Sequence, residues 1–436
     1  MNQLCKRWVL SLVLGLGVCG STGSVLAATD QAQKLPLPLE ELRTFAEVFE
    51  RIKSAYVEPV EDSVLLENAI KGMLSGLDPH SAYLDPKAFS HLQASTRGEF
   101  GGLGIEVSME DGLIRVVAPI DDTPAEKAGV HAGDIIIKLD QNAVRGMALS
   151  DAVSQMRGKP GTDILLTIMR EGESQPLELT LTRAVIKVTS VKSRLIDDNV
   201  GYLRISQFQV HTGADLNKAI TSLQQQASLK GLVLDLRNNP GGVLQAAVDT
   251  SDAFLDEGLI VYTQGREEQN ELRFSATPTN ASGTLPVVVL INSGSASASE
   301  IVAGALQDHR RAVVMGTPSF GKGSVQTVLP LTNERALKLT TARYFTPSGR
   351  SIQAEGIVPD IRVEQSTLTK LETRKRVKEA DLIGHLDHVD SVAAKKPKAN
   401  GRSKEDTELI GADYQLNEAL NLLKALSIVA RNPVSG

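Results

Sequence analysis

The apolar positions of this chain change their period along its length, and each change marks a different kind of structure. From Glu40 to Leu77 they recur at helical spacing. Leu42, Phe45, Val48, Phe49 and Ile52 share one face, and Leu65, Leu66, Ile70, Met73 and Leu74 form a second. Gly76 and Asp78-Pro79 close the segment with a turn. Two short helices bury little alone, so this stretch is expected to pack on another body, such as a second subunit. Between 97 and 184 the period falls to two. Gly104 to Val107, Leu113 to Val117, Ile135 to Leu139, Ile164 to Met169 and Leu177 to Leu181 read as strands, parted by turns such as Asp111-Gly112 and Glu171-Gly172. Short helices near Pro124 to Ala128 and Leu149 to Met156 make this a small α+β domain.

From 195 to 365 strands alternate with longer helices. Gly201 to Ser206 reads as a strand, and Leu216, Ala219, Ile220 and Leu223 mark an amphipathic helix. Gly231 to Leu236, apolar but for Asp235, and Pro286 to Ile291 show the pattern of buried strands, and each runs through a Gly- or Ser-rich turn into a helix. Such repetition predicts a layered sheet covered by helices. A Lys- and Ala-rich stretch, Ala393 to Glu405, reads as a flexible loop. The last helix, Tyr414 to Ala430, aligns Leu416, Ala419, Leu420, Leu423 and Leu426 and is expected to dock on a neighbour.

Composition narrows the function classes. A length of 436 residues implies several domains at roughly 100–200 residues each. A net charge of −6, one Trp and 4% aromatics offer neither a basic footprint nor stacking platforms, which argues against nucleic acid. Lys6 and Arg7 precede an uncharged apolar run from Trp8 to Val18, and Val25-Leu26-Ala27 supplies small-residue cleavage geometry, so residues 1–27 read as a signal peptide. The run is shorter than the roughly 20 residues of a membrane span. Cys5 and Cys19 both lie inside it, so the mature chain is expected to hold no thiol, disulfide or zinc thiolate.

Three turns carry candidate chemistry. Asn292-Ser293-Gly294-Ser295-Ala296-Ser297-Ala298-Ser299-Glu300 joins a buried strand to a helix, whose N-terminus offers free N–H groups and partial positive charge to an oxyanion. The same residues also suit an ordinary helix cap. Asp235-Leu236-Arg237-Asn238-Asn239-Pro240-Gly241-Gly242 is a second strand-to-helix turn at the same sheet edge, where adjacent glycines admit a close-lying substrate or simply a tight turn. Phe320-Gly321-Lys322-Gly323-Ser324-Val325-Gln326 sets a lysine between glycines, a position of little packing value. Gly316 to Lys322 spells part of a phosphate loop, but Gly323 replaces the Mg²⁺-binding hydroxyl and a strand follows, so a nucleotide is excluded. No histidine suits the base: His309 lies about 18 Å along the helix from Ser297 and reads as a surface residue. A lysine with an ordinary pKa of about 10.4 can replace it only where burial keeps it neutral.

Taken in order, Gly76-Leu77-Asp78-Pro79-His80-Ser81, Leu234 to Gly242, Ser295 to Glu300 and Phe320 to Gln326 resemble the C-terminal processing (tail-specific) peptidases, serine–lysine endopeptidases with a PDZ domain. The resemblance runs from residue 40 to 365 and implies an α+β multidomain chain. After the signal peptide come an N-terminal helical segment (28–96), a PDZ domain (97–184), a crotonase-like α/β protease core (185–365) and a C-terminal linker and helix (366–436). It implies Ser297 as nucleophile, Lys322 as general base 25 residues on, and Gln326 orienting the lysine. The oxyanion hole would be the N–H of Ala298 with that of Gly241 or Gly242. In the PDZ domain, Gly101, Gly102, Leu103 and Gly104 would bind a terminal carboxylate, with the peptide lying beside the strand that includes Ile105. Arg170 resembles an arginine that links this domain to the core and regulates it; a solvated turn arginine fits the position too. No cofactor, metal or nucleotide is implied. The resemblance points to the periplasm, protein substrates of the cell envelope, a helical-repeat lipoprotein adaptor and a homo-oligomer. The rivals are a catalytically silent PDZ scaffold, disfavoured by intact Ser297, Lys322 and Gln326, and an acyl-CoA enzyme, disfavoured by export.

Overall fold

The computed structural model describes residues 37–366, except Asp111, Asp121, Asp198, 267–270 and Thr279, together with Lys378, Leu382, Ile383, His385 and 413–431. The expected signal peptide, both cysteines, His388 and the 393–405 loop lie outside the described residues. Two compact units divide between Ala69 and Ile70. In the first, the helix Leu39–Ala55 ends where Tyr56 turns extended, and Lys53 bridges to Asp62 at 2.9 Å. Its apolar stripe stays exposed: Leu42, Phe45, Val48 and Ile52 each show 41–49% of their surface.

The second unit contains the PDZ domain and the larger core. The PDZ sheet runs in the order Ile105–Glu110, Leu113–Pro119, Ile135–Leu139, Asp163–Met169, Leu177–Thr182. Alternation decides which side chains enter: Ile114, Ile136, Leu166 and Ile168 are fully enclosed with Leu139. The strand Ile105–Glu110 forms one edge of this sheet, and the helix Leu149–Met156 keeps its predicted bounds. A ribbon of Glu99–Gly102 with Ala184–Lys187, absent from the sequence reading, joins the domain's two ends.

The core is built on the sheet Val191–Ile196, Val200–Ile205, Gly231–Asp235, Val287–Ile291, Ala312–Gly316, Ile361–Arg362, parallel beyond its first pair. Gly231–Asp235 and Val287–Ile291 are buried on both faces, which is why Gly231–Leu234 and Val287–Ile291 read as unbroken apolar runs. The helices Thr212–Gln226, Leu244–Asp252 and Ala298–Asp308 cover one face with Leu216, Ile220, Ala247 and Val302. The C-terminal helix Tyr414–Arg431 covers the other with Leu416, Ala419, Leu420 and Leu423. It therefore docks on its own sheet rather than on a neighbour. A second, antiparallel sheet centres on the long strand Ala336–Phe345, which pairs with Ser324–Pro330, Ala82–Leu84 and Leu259–Gly265. The helix Pro86–Arg97, also unforeseen, is capped by Asp85 through Ala88 N–H at 2.7 Å and closed by Gly98 at φ 72°.

Candidate active site

Ser297 ends the turn after the buried strand Val287–Ile291 and stands as N-cap of the helix Ala298–Asp308. Its backbone is strained, at φ 55° and ψ −111°, a conformation worth about 1–3 kcal/mol that surrounding contacts must hold. Glu300 supplies the hold. Its fully enclosed carboxylate accepts from the Ser297 N–H at 2.7 Å and the Lys322 N–H at 2.9 Å on one oxygen. The other oxygen accepts from the Ser319 hydroxyl and the Gly321 N–H, both at 2.6 Å. One side chain thus joins the serine turn to the lysine loop. The motif containing Glu300 was legible in the sequence; this role was not.

Lys322 is half-buried, and the glycines beside it have a packing reason after all. A Cβ at Gly323 would sit 2.3 Å from Gln353 N, and Gly321 adopts φ +90° against the backbone of 354–356. Burial, reinforced by the charge of Lys338, pushes the Lys322 amine below its ordinary pKa against the opposing pull of Glu300. Lys322 shares an open cleft of about 450 Å³ with Ser297, Gly241, Gly242, Gln326, Lys338 and Tyr344, walled by Leu92, Ser95 and Thr96 of the unforeseen helix. Tyr344 lines this cleft with Ser297, and burial pushes its phenol up to about 12, so it stays protonated at working pH. Its N–H donates to Gly323 O at 2.8 Å, beside the lysine.

Gln326 faces the same cleft, but its amide donates to the hydroxyls of Ser324 at 2.9 Å and Thr340 at 3.5 Å. Thr340 in turn donates to Asp78 at 3.1 Å, whose carboxyl is held at about 2 chiefly by the Ser81 hydroxyl. The Gly76–Ser81 motif therefore buttresses Gln326 from behind. His80 is pushed below its ordinary pKa by burial and by the Lys322 charge.

The two expected oxyanion glycines separate. The Gly241 N–H donates to Asn239 Oδ1 at 3.0 Å and is already committed. The Gly242 N–H stays outside the bridge to Phe208, which uses Phe208 N–H to Gly241 O and Val243 N–H to Phe208 O. Ala298 N–H is among the leading donors that a helix leaves without an internal partner. A Cβ on Gly241, at φ +99°, would lie 2.8 Å from Ser297 Cβ and 3.0 Å from Ala298 N, so only glycine permits this approach.

Elsewhere, placements differ from expectation. Gly101 and Gly102 belong to the strand Glu99–Gly102 rather than to an open loop, and the Leu103 side chain is buried in the PDZ core. Gly104, at φ +77°, abuts Thr123, while Gly102, Leu103, Gly104 and Ile105 line a groove of about 90 Å³ with Phe100, Val153 and Met156. The Arg170 guanidinium is committed inside the domain, to Asp134 at 2.8 Å through two nitrogens and to Gly129 O at 2.7 Å, so it is not a bridge to the core here. His309 is half-buried, its Nε2 2.7 Å from Leu259 O, and is not a surface residue. Among the described residues no cluster suits a metal ion.

Peptidase family S41 matches residues 199–363, and a PDZ domain matches 101–181. Fold and site thus define a serine peptidase that carries a PDZ domain. Residues 21–88 match the N-terminal domain of the activating protease CtpB. The chain is 50% identical to the carboxy-terminal-processing protease of Bartonella bacilliformis, over 88% of each chain. It is 37% identical to the carboxyl-terminal-processing protease of Synechocystis, covering 85% of this chain and 91% of that one. The structure of a photosystem II D1 C-terminal processing protease aligns at 32% identity over 74% of this chain and 93% of its own, with a TM-score of 0.45. The chain belongs to the carboxy-terminal processing proteases, which are serine-type endopeptidases.

Proposed function

We propose that Ser297 attacks the peptide carbonyl while neutral Lys322 takes its proton. The observation that carries this reading is the buried Glu300 carboxylate, which ties the backbone of both residues to one point while both residues line a shared cleft. The N–H groups of Gly242 and Ala298 receive the oxyanion, Lys322 then protonates the leaving amine, and water releases the acyl group. Gln326 shapes the lysine's surroundings from Ser324 and Thr340. Ser297→Ala and Lys322→Arg each abolish cleavage of a fluorogenic peptide with the fold intact, because arginine cannot give up its proton. Normal turnover by Lys322→Arg refutes the mechanism.

The PDZ groove takes a protein C-terminus, its edge strand Ile105–Glu110 free for a peptide to add alongside. Its apolar lining favours Ala, Val or Leu as last residue. Amidating a substrate's terminus removes a charge-assisted bond worth about 1.5–3 kcal/mol, roughly a 10- to 150-fold loss of engagement. Equal cleavage of free and amidated tails rejects this recognition without touching the Ser–Lys chemistry. The N-terminal pattern supports export to the periplasm, and the family resemblance points to envelope proteins as substrates and a helical-repeat lipoprotein as adaptor. The exposed stripe of Leu39–Ala55 supports self-association, which light scattering of the purified chain tests. Among the described residues no helix is long and apolar enough to cross a membrane.

A further inference from the structure

The turn that carries Gly241 and Gly242 is anchored by a residue outside every motif named above. We propose that Asp413, immediately before the C-terminal helix, is a positioning residue for the oxyanion hole, acting through Arg237; this rests on the Ser297–Lys322 reading. Arg237 lies two residues after the strand Gly231–Asp235 and begins the turn. Its side chain is 13% exposed, and its guanidinium is gripped from two sides. Asp235 accepts from Nε at 3.0 Å and Nη2 at 2.7 Å, while Asp413 accepts from Nη1 at 2.8 Å and Nη2 at 2.7 Å. Nη1 also donates to Gln415 Oε1 at 3.0 Å, and Gln415 Nε2 donates to Val363 O at 2.7 Å, which ties this corner to the sheet's far strands.

The charges balance only with Asp413 present. Asp235 also faces Arg204 at 3.3 Å, so two cations share one buried carboxylate unless Asp413 answers Arg237. From Arg237 the chain passes to Asn238 at φ 54°, whose N–H is held by Asn292 at 2.8 Å. Next comes the fully buried Asn239, which fixes the Gly241 N–H at 3.0 Å and accepts the Ala296 N–H at 3.0 Å. A displacement of Arg237 therefore reaches both sides of the oxyanion hole within a few bonds.

Asp413 has a second task, accepting the Leu416 N–H at 3.0 Å as helix cap, and two variants separate the tasks. Asn caps a helix about as well as Asp, so Asp413→Asn keeps the cap and loses the charge opposite Arg237. Asp413→Glu keeps the charge and weakens the cap. Both are made in the full-length chain, with kcat and KM on a fluorogenic peptide, the single-turnover rate and the melting temperature as readouts. The expected result for Asp413→Asn is a folded protein with a lowered melting temperature, because the buried Arg237 charge loses a partner, and a nearly unchanged KM at a temperature where the variant is fully folded. Its kcat and single-turnover rate fall about 10- to 100-fold, the scale of a 1 Å misplacement. Asp413→Glu retains more activity despite a lower melting temperature. Wild-type single-turnover rate in Asp413→Asn, or losses in both variants that simply follow melting temperature, overturns the inference alone. Turnover surviving in Ser297→Ala overturns the catalytic reading and the inference with it.

Discussion

Replacing Glu300 by glutamine changes one oxygen into an amide and tests whether this carboxylate assembles the site. The two oxygens of Glu300 accept four hydrogen bonds: from Ser297 N–H, Lys322 N–H, Ser319 Oγ and Gly321 N–H. A glutamine keeps one acceptor oxygen. Its best placement turns the NH₂ toward Ser319, whose hydroxyl can accept as it already does from Ile357 N–H at 2.6 Å. The Gly321 N–H then loses its partner in a buried setting, at about 1–3 kcal/mol. The two bonds left on the amide oxygen drop from charge-assisted to neutral strength, each about 1 kcal/mol weaker. The sum is about 3–5 kcal/mol, which a domain stable by about 5–15 kcal/mol survives, but the lysine loop and the strained serine turn do not stay registered. If most of the loss falls on the transition state, kcat drops about 10²- to 10³-fold at 1.36 kcal/mol per decade. The assay is kcat on a fluorogenic peptide beside a thermal melt. A variant with wild-type kcat and wild-type melting temperature refutes the reasoning.

Lys322→Met abolishes turnover yet stabilises the fold. The folded amine has a lowered pKa, so between that value and about 10.4 the unfolded chain binds the extra proton. The gain over wild type, read by denaturant titration, is full below the lowered pKa and shrinks as pH rises through the window. Lys338→Gln removes a like charge and lets the Lys322 pKa rise, so the ascending limb of the pH–rate profile moves to higher pH; an unmoved limb counts against lysine as base. Gly241→Ala sets a Cβ 2.7 Å from Ala296 O at φ +99° and loses most activity, as initial rates at saturating peptide will show.

The sequence was most informative where structure demands unbroken patterns. The strands Gly231–Asp235 and Val287–Ile291 are enclosed on both faces, so their apolar runs had no competing reading. The helix Leu149–Met156 and the strand Ile135–Leu139 kept their bounds because turn residues flank them. Less was legible in the second sheet. Leu259–Gly265 and Ala336–Phe345 mix exposed and buried positions, and their pairing spans some eighty residues of sequence, which no local period reveals. Ser297 and Lys322 stood out as residue types in glycine- and serine-rich turns. What held them did not, because Glu300 looks like any acidic residue in a helix's first turn. The commitment of Gly241 N–H to Asn239 was equally hidden, since adjacent glycines look interchangeable until their backbone angles are known.

Ser297 and Lys322 come from different sheets, which explains why the links between them are side-chain bonds and loop contacts rather than a ladder. Ser297 follows the parallel sheet, whereas Lys322 precedes Ser324–Pro330 of the antiparallel one. Phe320 N–H reaches Ser295 O at 3.0 Å and Tyr344 N–H reaches Gly323 O at 2.8 Å, bracketing the lysine on either side. Glycine at 321 and 323 lets this loop lie under the backbone of 352–356, and that covering leaves Lys322 half-buried. The same covering lowers the lysine's pKa, so the packing that costs stability is the packing that favours the neutral amine the proposed mechanism needs. The Gly-Lys-Gly spacing is therefore a burial device first, and the chemistry follows from it.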